Sequence, residues 1–144
     1  MKTISHSQEQ TIKIAKKISH HLKGGETIAL SGNLGAGKTV FIKGLAKSLG
    51  LEENITSPTF VLMKTYKLPN KKKNIEYFIH VDAYRLKGAN ELINIGIKDW
   101  FNKKNTVVAI EWANKIKNIL PKNTKFVNIK HKFNKANTRI IKVK

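Results

Sequence analysis

The residues best suited to chemistry are Gly32-Asn33-Leu34-Gly35-Ala36-Gly37-Lys38-Thr39, which satisfy every fixed position of G-x-x-x-x-G-K-[ST]. Each position has a physical reason. The glycines let backbone fold around a phosphate with its N–H groups turned inward, and a helix beginning at the lysine adds its own N-terminal amides and dipole. Lys38 has the reach for β- and γ-phosphates, and the Thr39 hydroxyl is a Mg²⁺ ligand in such loops. Asn33, Gly35, Ala36, Gly37, Lys38, Thr39 and Val40 are therefore the expected nucleotide contacts.

Hydrolysis also needs a carboxylate for the metal and a group to orient water. Two carboxylates end apolar runs: Asp82 after Tyr77-Phe78-Ile79-His80-Val81, and Glu111 after Val107-Val108-Ala109-Ile110. Ligands of open α/β sheets sit at the carboxyl ends of strands, so both are candidates for catalysis and for the metal. Spacing alone does not decide which would ligate directly. His80 falls out of step with the apolar pattern and is expected to be packed or hydrogen-bonded. Trp112, next to Glu111, is read as core packing or, beside the metal, as a nucleotide-edge or switch residue. His20 and His21 are neighbours on a helix and point different ways, so they make no metal site.

Around these residues the pattern is α/β. Ile14, Ile18 and Leu22 are spaced for an amphipathic helix over 7–22, which Gly24-Gly25 stops. Thr27–Ser31 reads as a strand into the glycine loop, and 38–49 as a helix that Gly50 ends. Residues 60–68 and 75–81 read as a hairpin across the exposed turn Lys71-Lys72-Lys73-Asn74. Leu92 to Trp100 suggests one helix containing a close-packed glycine, Gly96, and Thr106–Ile110 a strand buried on both faces. Residues 126–133 and 138–143 form a second hairpin around Asn134–Asn137. The expected fold is a P-loop, three-layer α/β sandwich in one domain over 1–144, with a mainly parallel centre and antiparallel edge hairpins.

With 144 residues and 40% hydrophobic content, one core is expected. No apolar run approaches a membrane span, and the polar start carries no export signal, so a cytoplasmic monomer is expected. Zero cysteines exclude disulfides and thiolate chemistry. The net charge of +19 is almost wholly lysine, with Arg85 and Arg139 the arginines. Dedicated RNA surfaces favour arginine. Abundant lysine, asparagine and isoleucine follow from AT-rich coding, so contact with tRNA is expected to be weak or indirect.

The ordered set is more specific than the loop. It comprises Ile55-Thr56-Ser57-Pro58-Thr59-Phe60, His80-Val81-Asp82-Ala83-Tyr84-Arg85-Leu86, the segment from Glu91-Leu92 through Gly96-Ile97-Lys98-Asp99-Trp100-Phe101, and Ile110-Glu111-Trp112. Together with the P-loop, these segments resemble the TsaE family, also called YjeE, over nearly the whole chain. Asn33 and Ala113 stand where members often have Asp and Pro. The resemblance implies an ATPase, weak alone, that uses ATP and Mg²⁺. Its implied partners are TsaB-like and TsaD-like subunits, which place threonylcarbamoyl on the adenosine beside the tRNA anticodon. It also implies that Thr39 and Glu111 hold Mg²⁺, that Asp82 is a metal-side or water-side carboxylate, and that Ser57-Pro58-Thr59 senses the γ-phosphate. Gln8 and Thr11 would lie near adenine.

Three other readings fit less well. A small kinase needs an arginine-rich lid, and two arginines do not make one. A GTPase reads guanine through Asn-Lys-x-Asp, but Asn114-Lys115-Ile116 is followed by Lys117, which cannot accept a hydrogen bond. A basic RNA-binding protein would bind with steep salt dependence and no need for ATP.

Overall fold

The computed structural model describes residues 1–56, 61–69 and 74–144. Its elements are β1 (Lys2–Ser5), α1 (Gln8–Ser19), β2 (Thr27–Ser31), α2 (Lys38–Ser48), β3 (Met63–Lys67) and β4 (Tyr77–Asp82). They continue with α3 (Asn90–Asn94), β5 (Thr106–Glu111), β6 (Lys125–Lys132) and β7 (Lys135–Val143). Short 3₁₀ turns lie at Ile97–Asp99 and Ala113–Ile119.

The described strands form a seven-stranded sheet ordered β1-β7-β6-β2-β5-β4-β3. β6, β2, β5 and β4 run parallel, and the outer pairs are antiparallel. All six residues of β5 are buried, as a central strand covered on both faces requires. α1 starts where the Ser7 side chain accepts from the Gln10 amide at 3.2 Å. Its buried face, Thr11, Ala15 and Ile18, packs on α2.

The two helices meet closely at Gly44. A Cβ there would stand 2.9 Å from that of Ala15 and 3.0 Å from the Ile12 Cα. Together α1 and α2 cover one sheet face, with Leu22, Leu30, Phe41, Leu45 and Phe78 in the core between them. α3 and the 3₁₀ turns cover the other face through Ile79, Leu92, Ile97, Ile110 and Ile116. This is the expected three-layer α/β arrangement, with its second helical layer built from short pieces.

Several expectations change. The helix expected across Leu92–Trp100 breaks in two, because Gly96 takes φ 87° and reverses the backbone. Its glycine serves conformation rather than close packing. The C-terminal hairpin turns at Phe133-Asn134, since β7 already begins at Lys135 and Asn134 supplies φ 58°. β1 is an edge strand that polar Lys2–Ser5 did not signal. The expected loop at Ser57-Pro58-Thr59 and the turn at Lys71–Lys73 lie outside the described residues.

Candidate functional site

The parallel centre brings three chain segments to one rim. β2 delivers the glycine loop, while register pairs Leu30 with Glu111 and Asp82 with Glu111 across adjacent strands. The strand ends thus place both carboxylates beside the first turn of α2.

The loop is pinned at its entry and open at its centre. Gly32 has φ 148°, and a Cβ on it would stand 2.2 Å from the Ile129 carbonyl oxygen, so β6 admits only glycine there. Around Gly35 and Gly37, a Cβ would meet nothing within 4 Å. That open concavity has the form of a phosphate cradle. Ala36 is buried; its amide donates to the Asn33 carbonyl at 3.1 Å, and its own carbonyl accepts from Arg139 Nε at 3.2 Å.

Lys38 is only 4% exposed. Its Nζ donates to the carbonyls of Gly32 at 2.8 Å and Asn33 at 3.0 Å, and lies 3.9 Å from the Trp112 ring centroid. Burial pushes its pKa below the usual lysine value, and the negative charges of Glu111 and Asp82 oppose that shift. The Thr39 hydroxyl donates to the Glu111 carboxylate, at 2.9 Å from one oxygen and 3.0 Å from the other. Glu111 is nearly buried and also meets His80 Nε2 at 2.9 Å. His80 is thus both packed and hydrogen-bonded, within the expected range.

Asp82 Oδ1 accepts from the Tyr84 amide at 2.9 Å. Tyr84 lies against Trp112, their ring centroids 5.0 Å apart. Trp112 itself has φ 58°, a left-handed conformation uncommon for an aromatic residue. It is partly buried against the apolar layer, as the packing reading expects, and also lines the cleft beside Lys38.

A cleft of about 480 Å³ runs along the loop, lined by Gly35, Gly37, Lys38, Thr39, Val40, Asp82, Glu111 and Trp112, with Leu62, Tyr84 and Arg85. A second hollow of about 250 Å³ adjoins it at Gly35, Gly37 and Val40. Gln8 and Thr11 line this hollow with His6, Asn137 and Arg139. The Thr11 hydroxyl is engaged with Ser5 Oγ at 2.8 Å, so Thr11 shapes the wall more than it offers a polar contact. Thr59 lies outside the described residues. Sequence reasoning did not single out Tyr84, Arg85, His6, Asn137 or Arg139 for the site. The motif around Asp82 contained the first two; β7 delivers the last two, with no local signal.

The family model described as "Threonylcarbamoyl adenosine biosynthesis protein TsaE" matches residues 5–141. The chain belongs to the TsaE family. A TsaE relative from Rickettsia felis is 38% identical over 118 residues, which make up 81% of this chain and 65% of that protein. The chain thus covers slightly less than two thirds of that relative's length. A TsaE relative from Treponema pallidum is 33% identical over 130 residues, 90% of this chain and 91% of its own. Among solved structures, the crystal structure of Bacillus subtilis YdiB superposes with a TM-score of 0.75 at 32% identity, covering 98% of this chain and 82% of that one.

The donor set in this TsaE chain suits a hard divalent cation. A carboxylate and a hydroxyl meet with both carboxylate oxygens in reach, and a second carboxylate ends the adjacent strand. Such oxygen ligands, completed by phosphate and water, are what Mg²⁺ takes. Among the described residues no helix is long and apolar enough to cross a membrane.

Proposed function

We propose that this TsaE-family chain binds ATP with Mg²⁺ in the loop 32–39 and hydrolyses it. By this reading it drives a step of tRNA threonylcarbamoyladenosine formation on TsaB-like and TsaD-like subunits in the cytoplasm. The observation that carries the reading is the Thr39 hydroxyl on the Glu111 carboxylate, beside a buried Lys38 whose ammonium already sits on the loop's own carbonyls.

The chain's groups divide the work. The amides of Gly35, Gly37, Lys38 and Thr39, with Lys38 Nζ, bind phosphate oxygens and neutralise the charge that develops on them. Thr39 and Glu111 would hold Mg²⁺, which supplies charge neutralisation between phosphates when bound. Asp82 stands one strand away, where it can orient water or a metal-bound water. Trp112 and Tyr84, packed on each other, wall one side of the cleft. The hollow near Gln8 and Thr11 is suited to the base. Val40, common to both cavities, sits between the two.

The test is steady-state ATP hydrolysis by the purified chain, alone and with TsaB-like and TsaD-like subunits from the same cell. The reading expects slow turnover alone, stimulation by the subunits, and loss of both in Glu111→Gln. No turnover under either condition, or stimulation undiminished in Glu111→Gln, would refute it.

A further inference from the structure

His80 sits wholly inside the protein, yet only one of its ring nitrogens has work to do. Nε2 meets Glu111 Oε1 at 2.9 Å, whereas Nδ1 is buried without a partner. A ring held in this way is a poor choice for packing alone, because an unsatisfied buried nitrogen opposes folding. Phe78, two residues earlier on the same strand and fully buried, shows that this sheet face accepts an apolar ring. Glu111 accepts on its other side from Thr39, at 2.9 and 3.0 Å. One carboxylate is therefore clamped between β4 and the first turn of α2.

We propose that His80 is a positioning residue for the cation. Its Nε2–H holds the Glu111 carboxylate turned towards Thr39 before any metal arrives. The inference rests on the proposed Mg²⁺ site and deepens it. A carboxylate on a flexible side chain loses rotamer freedom when it takes a metal; here the hydrogen bond from β4 imposes that order during folding. His80 also occupies one acceptor position on Oε1, which leaves Oε2 and the face towards Thr39 for the cation. Partners that orient metal ligands in this way typically change metal affinity about 10–100-fold when removed.

The experiment measures the Mg²⁺ concentration that half-saturates the metal-dependent part of ATP binding, beside the melting temperature of the nucleotide-free protein. The proteins are wild type, His80→Leu, His80→Gln and His80→Asn, with Thr39→Ala as reference. A Gln amide can occupy the place of the ring Nε2, whereas the shorter Asn cannot reach Glu111. His80→Leu and His80→Asn should raise the Mg²⁺ midpoint about 10–100-fold. Both should leave ATP affinity in EDTA within a few-fold, and His80→Gln should return the midpoint to near wild type. His80→Leu removes an unsatisfied nitrogen but also a hydrogen bond to the buried Glu111 carboxylate, so it should melt modestly below wild type. Should His80→Leu not fold, the Gln and Asn pair carries the same contrast. Equal midpoints in His80→Gln and His80→Asn would overturn the proposal, as would equal losses with Mg²⁺ and in EDTA. A shifted midpoint in Thr39→Ala beside an unshifted one in His80→Asn would overturn the positioning role alone. An unshifted midpoint in Thr39→Ala would overturn the cation site and this inference with it.

Discussion

Lys38 couples binding to stability more than its motif suggests. The motif speaks only of its reach for phosphate, but the side chain is buried, with two carbonyls on its ammonium and an indole face beside it. Lys38→Ala removes two charge-assisted hydrogen bonds, each about 1.5–3 kcal/mol in context, and a cation–π contact of about 0.5–2 kcal/mol. Two effects offset that loss. The freed carbonyls of Gly32 and Asn33 border an open cleft and can take water, so they are not orphaned. Removing the ammonium also ends the burial cost that already depresses its pKa. The net expected destabilisation is about 1–2 kcal/mol, a fall in melting temperature of roughly 3–8 °C for a chain of this size. ATP affinity should fall much further, by about 3–4 kcal/mol or two to three decades, because the bound phosphates lose a cation. Lys38→Met keeps the stem and should recover part of the stability and none of the affinity. Urea denaturation and calorimetric titration measure the two quantities. ATP affinity within tenfold of wild type in Lys38→Met, or a destabilisation above about 4 kcal/mol, would refute the assignment of this lysine to phosphate.

Other outcomes follow from the same geometry. Gly44→Ala gains about 1 kcal/mol of helix propensity but drives a Cβ to 3.0 Å from the Ile12 Cα. Overpacking of about 1–3 kcal/mol should win, lowering the urea midpoint; a raised midpoint would contradict the close approach of α1 and α2. The pKa of Lys38 is depressed in the free protein, and phosphate favours its charged form. ATP affinity should therefore be full below that depressed pKa and decline as pH rises through it, at lower pH than an ordinary lysine would dictate; in Lys38→Met the decline should vanish. Glu111→Gln and Asp82→Asn should lower turnover at least about 100-fold while ATP affinity stays within about tenfold, since groups that act on metal or water stabilise mainly the transition state. The isolated protein should bind tRNA weakly, with a steep salt slope and no preference over random duplex, as measured by filter binding.

Local signals made the centre of this fold legible. The P-loop, the strand before it and the helix after it occupy consecutive residues, and a buried parallel strand such as β5 announces itself as an apolar run. Elements whose partners are distant in sequence were harder to read. β1 is four residues, half of them exposed, and exists because β7 at the far end pairs with it. Its pairing turns Ser5 inward to Thr11 and so shapes the hollow beside the loop. The expected single helix across Gly96 failed because apolar spacing does not report backbone handedness; φ 87° at Gly96 ended it. At the site, the motif singled out Lys38 and Thr39 as candidates but did not signal the burial of Lys38. His80 could be read as packed or hydrogen-bonded, whereas its bond to Glu111 depends on β4 pairing with β5 in register. Arg139 reaches the Ala36 carbonyl across a sequence separation of 103 residues, which no local pattern encodes.

The most direct test of the central claim is a calorimetric titration of the purified chain with ATP, in Mg²⁺ and again in EDTA, repeated with GTP. The site described here predicts one saturable ATP equivalent, bound at least about tenfold more tightly with Mg²⁺ than without, and GTP bound more weakly. Absence of saturable ATP binding, or an ATP affinity indifferent to Mg²⁺, would contradict a site built on Lys38, Thr39 and Glu111.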